Sequence, residues 1–207
     1  MIQGTEEWFA IRLGKVTASR VADVIAKTKS GWGATRRNYE AQLIAERLTD
    51  SVADSFSNAA MQWGIDTEPK ARVNYEFLTG DAVEEIGFVD HPTIPMTGAS
   101  PDGLVGVNGL VEIKCPNTAT HIETLLNKKV PAKHITQMQF QMACCERDYC
   151  DFFSYDPRLP EHLNSWLFRV ERDDQRISEL EELVAEFLDE LDEKVNALNN
   201  LEKEKVA

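Results

Sequence analysis

The sequence predicts an α/β sandwich, a small mixed β-sheet flanked by helices. Three observations predict it. Segments of helical and strand periodicity follow one another in the order helices, strands, helix, strands, helix. Two aromatic-rich runs of strand length, "CDFFSYD" and "SWLFRVE", stand late in the chain. Residues 173–201 carry Ile177, Leu180, Val184, Phe187, Leu191, Leu198 and Leu201 at near-heptad spacing, the pattern of one long C-terminal amphipathic helix.

Taken in order, "RLGKVTASRVADVIAK" opens with a short extended piece. Thr17 or Ser19 then suits a helix N-cap, with Val21, Val24 and Ile25 as the apolar face. "KTKSGWGATRRN" reads as a Gly-rich basic loop. "YEAQLIAERLTD" reads as an amphipathic helix with Leu43, Ile44 and Leu48 inward. "NAAMQWGIDTEPKARVNYEFLTG" is a longer helix ending near Gly80, where Pro69 predicts a kink or a restart. "VEEIGFVDHPTIPMTGASPD" alternates weakly and leads into a hairpin. "HIETLLNKK" and "PAKHITQMQFQMACCE" are helices, with Pro131 at a first-turn position. A single domain over residues 1–207 is expected, with 173–205 as its C-terminal helical segment.

Composition sets the class. The chain is 43% apolar and 28% charged, ordinary for a soluble globular protein. No apolar run approaches the roughly 18 residues of a membrane span. "MIQGTEEWFAIRLG" has no apolar core of a signal peptide, so a cytoplasmic location is the default. Cys115, Cys144, Cys145 and Cys150 lack CxxC spacing and an N-terminal partner, which favours buried free thiols over a zinc site or an iron–sulfur cluster. The net charge of −13 lowers the expectation of a nucleic-acid partner, yet its distribution is uneven. Residues 171–207 hold 13 acidic against 5 basic side chains, whereas residues 12–37 hold seven Lys/Arg and only Asp23. Salt screens charges beyond about 8–10 Å, so a basic patch on an acidic protein can still hold phosphate.

In "TGASPDGLVGVNGLVEIKCP", residues 97–116, Asp102, Glu112 and Lys114 stand among apolar residues and turn formers. Side chains alternate along a strand, so Leu110, Glu112 and Lys114 share one face and Val111 and Ile113 the other. A three-residue loop, Val107 to Gly109 with Gly109 at positive φ, pairs Asp102 with Lys114 and aligns all three charged groups. A two-residue loop leaves Asp102 on the opposite face. The longer loop, or an equivalent kink at Gly103, is expected. Two carboxylates beside a lysine suit a hard cation such as Mg²⁺, which takes one or two carboxylates, waters and phosphate oxygens; the Ile113 carbonyl is a further ligand candidate. Lys114 would orient or deprotonate a water, its pKa tending downward if desolvated. The same loose spacing also fits an exposed hairpin whose charges face water.

Pro101-Asp102 followed by Glu112-Ile113-Lys114 resembles the PD-(D/E)xK motif of restriction-endonuclease-like nucleases. The ordered string "WFAIRLGKVTASR", "WGIDTEPKAR", "SPDG", "EIKCP" and "QMQFQM" is similar to the phage lambda exonuclease family of alkaline exonucleases, over residues 8 to about 190. That resemblance implies a restriction-endonuclease-like sandwich. It also implies 5′→3′ degradation of one strand of linear double-stranded DNA to mononucleotides, leaving a 3′ overhang. The implied cofactor is Mg²⁺, with Mn²⁺ as a substitute and two ions per site. The implied assembly is a homotrimer ring acting with a single-strand annealing protein in DNA recombination, inside a bacterial host cell.

Residue by residue, the resemblance makes Asp102, Glu112, the Ile113 carbonyl and the helix-borne Glu68 metal ligands. Lys114 and Gln137 would be catalytic, with His134 and Gln141 one turn away from Gln137 on the same face. Arg12 and Ser19, with Thr17, match a pocket for the 5′-terminal phosphate. A helix N-terminus and an arginine there can both bind an anion. Lys27, Lys29, Arg36 and Arg37 would line the DNA path, and Met61 would be a strand-separating wedge. Where some relatives carry a further acidic residue upstream, this chain reads "VDHPTIPM" with Asp90 out of register, so that role is not carried over. Three other readings stay open: an endonuclease on the same fold, a non-catalytic DNA-binding scaffold, and a docking role for the acidic C-terminal helix.

Overall fold

Thr5 caps the first helix, α1 (Glu6–Arg12), by accepting from the amide of Trp8, and Glu6 and Glu7 sit at its positive end. Strand β1 (Val16–Thr17) leads through a 3₁₀ turn over Ala18–Arg20 into a four-residue helix, α2 (Val21–Val24). Thr17 occupies the N-cap position of that turn, but its side chain makes no capping bond. The basic stretch expected as a loop contains a small hairpin, β2 (Lys27–Thr28) with β3 (Gly31–Trp32). Helix α3 (Ala34–Thr49) starts before its apolar pattern does and so takes in Arg36 and Arg37. Leu43 is buried and Ile44 partly so, whereas Leu48 is 41% exposed, against expectation. Helix α4 (Ala59–Thr79) runs unbroken through Pro69 instead of kinking or restarting there. Pro69 has no amide to offer the Ile65 carbonyl; both residues are exposed, so water can serve that carbonyl.

Three short strands, β4 (Val83–Glu84), β5 (Val89–Asp90) and β6 (Thr97–Ala99), precede the hairpin β7 (Gly103–Val105) and β8 (Gly109–Lys114). Helices α5 (Thr118–Asn127) and α6 (Ala132–Cys145) follow, and Pro131 stands at the N-cap of α6, one residue before its expected place. Strands β9 (Tyr149–Tyr155) and β10 (Ser165–Glu171) precede the long α7 (Asp174–Glu204). The structure, a computed structural model, describes residues 2–29, 31–52 and 59–204.

The main sheet has the order β10-β9-β8-β7-β4 and is mixed. Its one parallel pair, β8 with β9, is joined by α5 and α6, the long crossover such a pair requires. A second sheet, β1-β6-β5, pairs β1 with β6 in parallel. Helix α4 covers one face of the main sheet: Ala71 and Tyr75 pack on Val105, Val111, Ile113 and Phe153. Helix α6 covers the other, with Met138 and Met142 on Leu110, Cys150 and Phe152. A third cluster joins α2, α3, α6 and α7 through Val21, Leu43, Phe140, Val184 and Phe187. This is the predicted sandwich, a central mixed sheet flanked by helices with a long C-terminal helix.

The α7 stripe is buried at Ile177, Leu180, Val184, Phe187 and Leu191, but Leu198 and Leu201 are 41% and 54% exposed. All four cysteines are free, with Cys144 and Cys150 buried. Among the described residues, no helix is long and apolar enough to cross a membrane.

Candidate active site

Strand β8 is covered on both faces, so Glu112 is held inside the protein while Lys114 at its end is partly covered. Leu110, Val111 and Glu112 are all fully buried. The hairpin loop has the expected three residues but lies one position earlier than expected, at Gly106, Val107 and Asn108, since Val105 pairs with Gly109. Positive φ falls on Gly106, not on Gly109. Gly109 is small for another reason: a Cβ there would collide with the Tyr149 ring across the parallel pair. One step beyond Gly103↔Val111, this register sets Asp102 opposite Glu112 rather than Lys114. The three charged groups still share a face, because opposed residues of an antiparallel pair point the same way.

Asp102 accepts from the Ile113 amide through Oδ2 at 2.6 Å. Glu112 is gripped on both oxygens. Gln137 donates to Oε1 and Gln141 to Oε2, each at 2.7 Å, and Lys114 pairs with Oε1. Gln137 and Gln141 are one helical turn apart on α6, so both reach the same carboxylate. Burial, reinforced by repulsion from Glu112, pushes the Asp102 carboxyl well above the usual carboxylate range. Burial alone would lower the Lys114 ammonium, but Glu112, Asp102 and Glu68 outweigh it, and its pKa is raised. The expected downward shift is thereby reversed.

Arg12, Thr17 and Ser19 line the same cavity as Asp102, Glu112, Lys114, Gln137 and Gln141, a space of about 240 Å³. Residues a hundred positions apart meet there because β1 pairs with β6, just before the hairpin, and Trp8 of α1 bonds Ser100 beside it. The Arg12 guanidinium lies 3.6 Å over the Trp8 ring, and burial draws its pKa down to about 10. Thr17 Oγ1 and Ser19 Oγ are 3.3 Å apart. The residues expected to form an anion site at a helix N-terminus stand instead at one 3₁₀ turn and a four-residue helix, with little helix dipole behind them.

Other expected site residues are placed differently. Glu68 lines cavities beside this one, one of them shared with Asp102, and its carboxylate is 3.5 Å from Arg72. Burial raises its pKa. Arg36 is not on an exposed path: it is buried, paired with Glu190 of α7 at 2.7 Å and stacked against Trp32 and Phe187. Its start on α3 turns it inward, a consequence of the helix beginning at Ala34. Lys27, Lys29 and Arg37 are exposed on and beside the β2–β3 hairpin, Lys27 lying 4.5 Å from the Trp32 ring centre. Met61 is 51% exposed and lines cavities on both sides of the site. His134 Nδ1 is buried with no hydrogen-bond partner among the described residues, and burial pulls its pKa to about 4, so it is neutral at pH 7. Asp90 pairs with Lys15, away from the carboxylates.

The sequence did not single out Trp8, Gln3 or Ser100. Trp8 precedes Arg12 by one helical turn, a spacing that signals the stack. Trp8 Nε1 also donates to Ser100 Oγ at 2.9 Å, and Gln3 Nε2 donates to the carbonyls of Ile86 and Pro101. Those contacts span more than 80 residues, and no local pattern marks them.

Among the described residues, no three His, Cys, Asp or Glu side chains converge into a ready metal cage. The donor set is smaller: Asp102 and Glu112, hard oxygens facing one cavity, where Glu112 repels the Asp102 carboxylate and Lys114 attracts it. Such a set fits a cation that takes one or two carboxylates and keeps its waters, as Mg²⁺ does.

Comparison with known proteins gives consistent results. A family model described as the YqaJ-like viral recombinase domain matches residues 7–148. An alkaline exonuclease (LHK-Exo) from Laribacter hongkongensis is 54% identical over 98% of this chain and 100% of its own, with a TM-score of 0.91. The same protein solved in complex with dAMP matches equally well. A phage related exonuclease from Haemophilus somnus 129PT is 16% identical over 89% of this chain and 96% of its own, at a TM-score of 0.73, a likeness of fold. No curated protein matches the chain.

Proposed function

The chain belongs to the YqaJ-like viral recombinase family, which is lambda-exonuclease-like, and on that premise we propose that it is a DNA exonuclease acting in recombination. In its finer form the proposal is a Mg²⁺-dependent 5′→3′ exonuclease on linear duplex DNA that releases mononucleotides and leaves a 3′ overhang. One observation carries it: the residues expected to hold a terminal phosphate and those expected to cleave line a single cavity. An endonuclease has no need of a terminal-phosphate pocket. The complex of the Laribacter relative with dAMP supports a mononucleotide product.

In this mechanism Asp102 and Glu112, with the Ile113 carbonyl and Glu68, would hold the metal. When bound, Mg²⁺ supplies Lewis-acid polarisation of the scissile phosphate and a more acidic water. Gln137 and Gln141 keep the Glu112 carboxylate in one orientation. Lys114 contributes a charged ammonium beside it, placed to stabilise negative charge gathering on the phosphate. Arg12 offers bidentate bonds to the 5′-phosphate, joined by the Thr17 and Ser19 hydroxyls. Lys27, Lys29 and Arg37 would contact the DNA backbone without reading sequence, and Met61 would part the strands. A homotrimer ring and a single-strand annealing partner belong to the same proposal, on the family likeness.

The test is digestion of linear duplex labelled separately at each end, with Mg²⁺ or EDTA, with 5′-phosphate or 5′-hydroxyl ends, beside Lys114→Ala. Metal-dependent loss of 5′ nucleotides, faster from phosphorylated ends and abolished by the substitution, is expected. Cuts within circular DNA would replace the exonuclease with an endonuclease, and binding without cleavage would leave a scaffold.

A further inference from the structure

The segment that carries Arg12, Thr17 and Ser19 has little regular structure of its own. β1 is two residues long, α2 four, and Gly14 between them and α1 has φ +67°. β1 is also the edge of its sheet, with β6 on one side only. An edge strand leaves backbone amides and carbonyls unpaired, and a buried unpaired group is costly. Here the open side is closed by a side chain. The Thr17 amide donates to Tyr39 Oη at 3.2 Å, and that hydroxyl donates to the Lys15 carbonyl at 3.3 Å. One tyrosine hydroxyl thus takes the place of a neighbouring strand.

Tyr39 is built for the task. It is 2% exposed, its ring is stacked on Phe187 at 6.0 Å, and the Arg20 guanidinium lies 4.1 Å from the ring centre. Burial raises its pKa, so the hydroxyl keeps its proton. Two turns further along α3, Glu46 accepts from the Gly14 amide at 3.0 Å and Arg47 donates to the Gly14 carbonyl at 2.9 Å. Helix α3 therefore grips residues 14–17 by four backbone bonds. It is itself tied to α7 by Arg36–Glu190, Lys194–Glu40 and Arg47–Asp192.

We propose that Tyr39 is a positioning residue for terminal-phosphate recognition: its hydroxyl, bridging the Thr17 amide and the Lys15 carbonyl, sets where the Thr17 and Ser19 hydroxyls stand relative to Arg12. Tyr39 lines a cavity with Arg12, Thr17 and Ser19, but its hydroxyl is engaged by the Thr17 amide and the Lys15 carbonyl, so it acts through the strand. This rests on the terminal-phosphate pocket proposed above and goes beyond it, because none of the expected pocket residues includes Tyr39.

The experiment compares binding of 5′-phosphorylated and 5′-hydroxyl duplex ends by fluorescence anisotropy in EDTA, where no cleavage occurs. Tyr39→Phe keeps the ring, and with it the Phe187 and Arg20 stacks, and removes only the hydroxyl. The ratio of the two affinities is the readout, since general destabilisation weakens both ends alike. Tyr39→Phe is expected to lower that ratio roughly three- to tenfold, the scale of a lost neutral hydrogen bond. Tyr75→Phe is the control. It removes an equally buried hydroxyl, bonded to Asp151 at 2.8 Å beneath α4, and should leave the ratio at the wild-type value. Should Tyr39→Phe fail to fold, Arg47→Met removes another bond of the same grip, at the Gly14 carbonyl, and leaves the Glu46 charge beside Arg12 in place, and the ratio should again fall. A full wild-type ratio in the folded variant overturns the role of Tyr39 while the pocket stands. A wild-type protein that does not distinguish the two ends overturns the pocket, and Tyr39's role with it.

Discussion

Gln141 donates to Glu112 Oε2 at 2.7 Å, closing a clamp whose other arm is Gln137 on Oε1. Both partners are fully buried, and Gln141 Oε1 has no hydrogen-bond partner among the described residues. A side chain bonded only at the end facing a carboxylate is held there for that carboxylate.

Gln141→Leu leaves a buried carboxylate one donor short, a loss of about 1.5–3 kcal/mol for a bond to a charged group. We expect kcat/KM on duplex DNA to fall roughly tenfold or more, with end binding in EDTA retained. A steady-state assay beside an anisotropy titration checks it; an unchanged kcat/KM would remove Gln141 from the positioning of Glu112.

Arg36 and Lys29 should separate cleanly. Arg36→Ala breaks a pair whose arginine is 4% exposed and whose glutamate is 35% exposed. The expected cost is about 2 kcal/mol, less than for a fully buried pair because water reaches Glu190. Urea denaturation reads that loss, and the salt dependence of DNA binding should not move. Lys29→Ala should do the converse, lowering the slope of log K against log salt by about 1 with stability intact. If Arg36→Ala changes the slope instead, the arginine reaches DNA after all.

His91 makes stability depend on pH. Its Nδ1 accepts from the Thr93 and Ile94 amides at 3.3 and 3.1 Å, which requires that nitrogen to be unprotonated. Its Nε2 faces Glu181 of α7 at 3.1 Å, and Phe140 of α6 packs on the ring. Burial outweighs Glu181 and lowers the pKa. The unfolded chain therefore binds the proton first: stability is fully present above about 6.5 and declines as pH falls from there toward the folded value. Denaturation midpoints at pH 8 and pH 5.5 should fall further apart for wild type than for His91→Gln. Equal shifts would mean that His91 takes no part.

The two hairpin glycines predict opposite outcomes for activity. Gly109→Ala drives a methyl group into the Tyr149 ring and displaces β8, so stability should drop by about 1–3 kcal/mol and cleavage with it. Gly106→Ala meets open space and suffers only its positive φ, about 1 kcal/mol. Its cleavage rate should stay near wild type. Thermal melts and end-label digestion distinguish them, and equal rate losses would contradict the placement of the loop.

Much of the site was legible because it rests on short-range rules. Period-two alternation puts Glu112 and Lys114 on one strand face whatever the rest of the chain does. The spacing of Ile177 to Leu191 marks the buried stripe of α7 in the same way. The turn was legible in length but not in position, since "GVNG" offers two glycines and only the Tyr149 ring, forty residues away, decides which must lie flat against it.

The sequence by itself determined the sandwich, the converging carboxylates and lysine, and the basic segment near the N-terminus. Steric and periodic preferences acting over a few residues suffice for these. Only the tertiary structure decided that Arg36 turns inward to Glu190, 154 residues away, and that Trp8 is anchored to Ser100, 92 residues away. It alone decided that Tyr39 closes the edge of β1, and that neighbouring carboxylates raise the Lys114 pKa against the pull of burial. Those outcomes depend on which distant groups share a low-dielectric space, and chain neighbours carry no record of that.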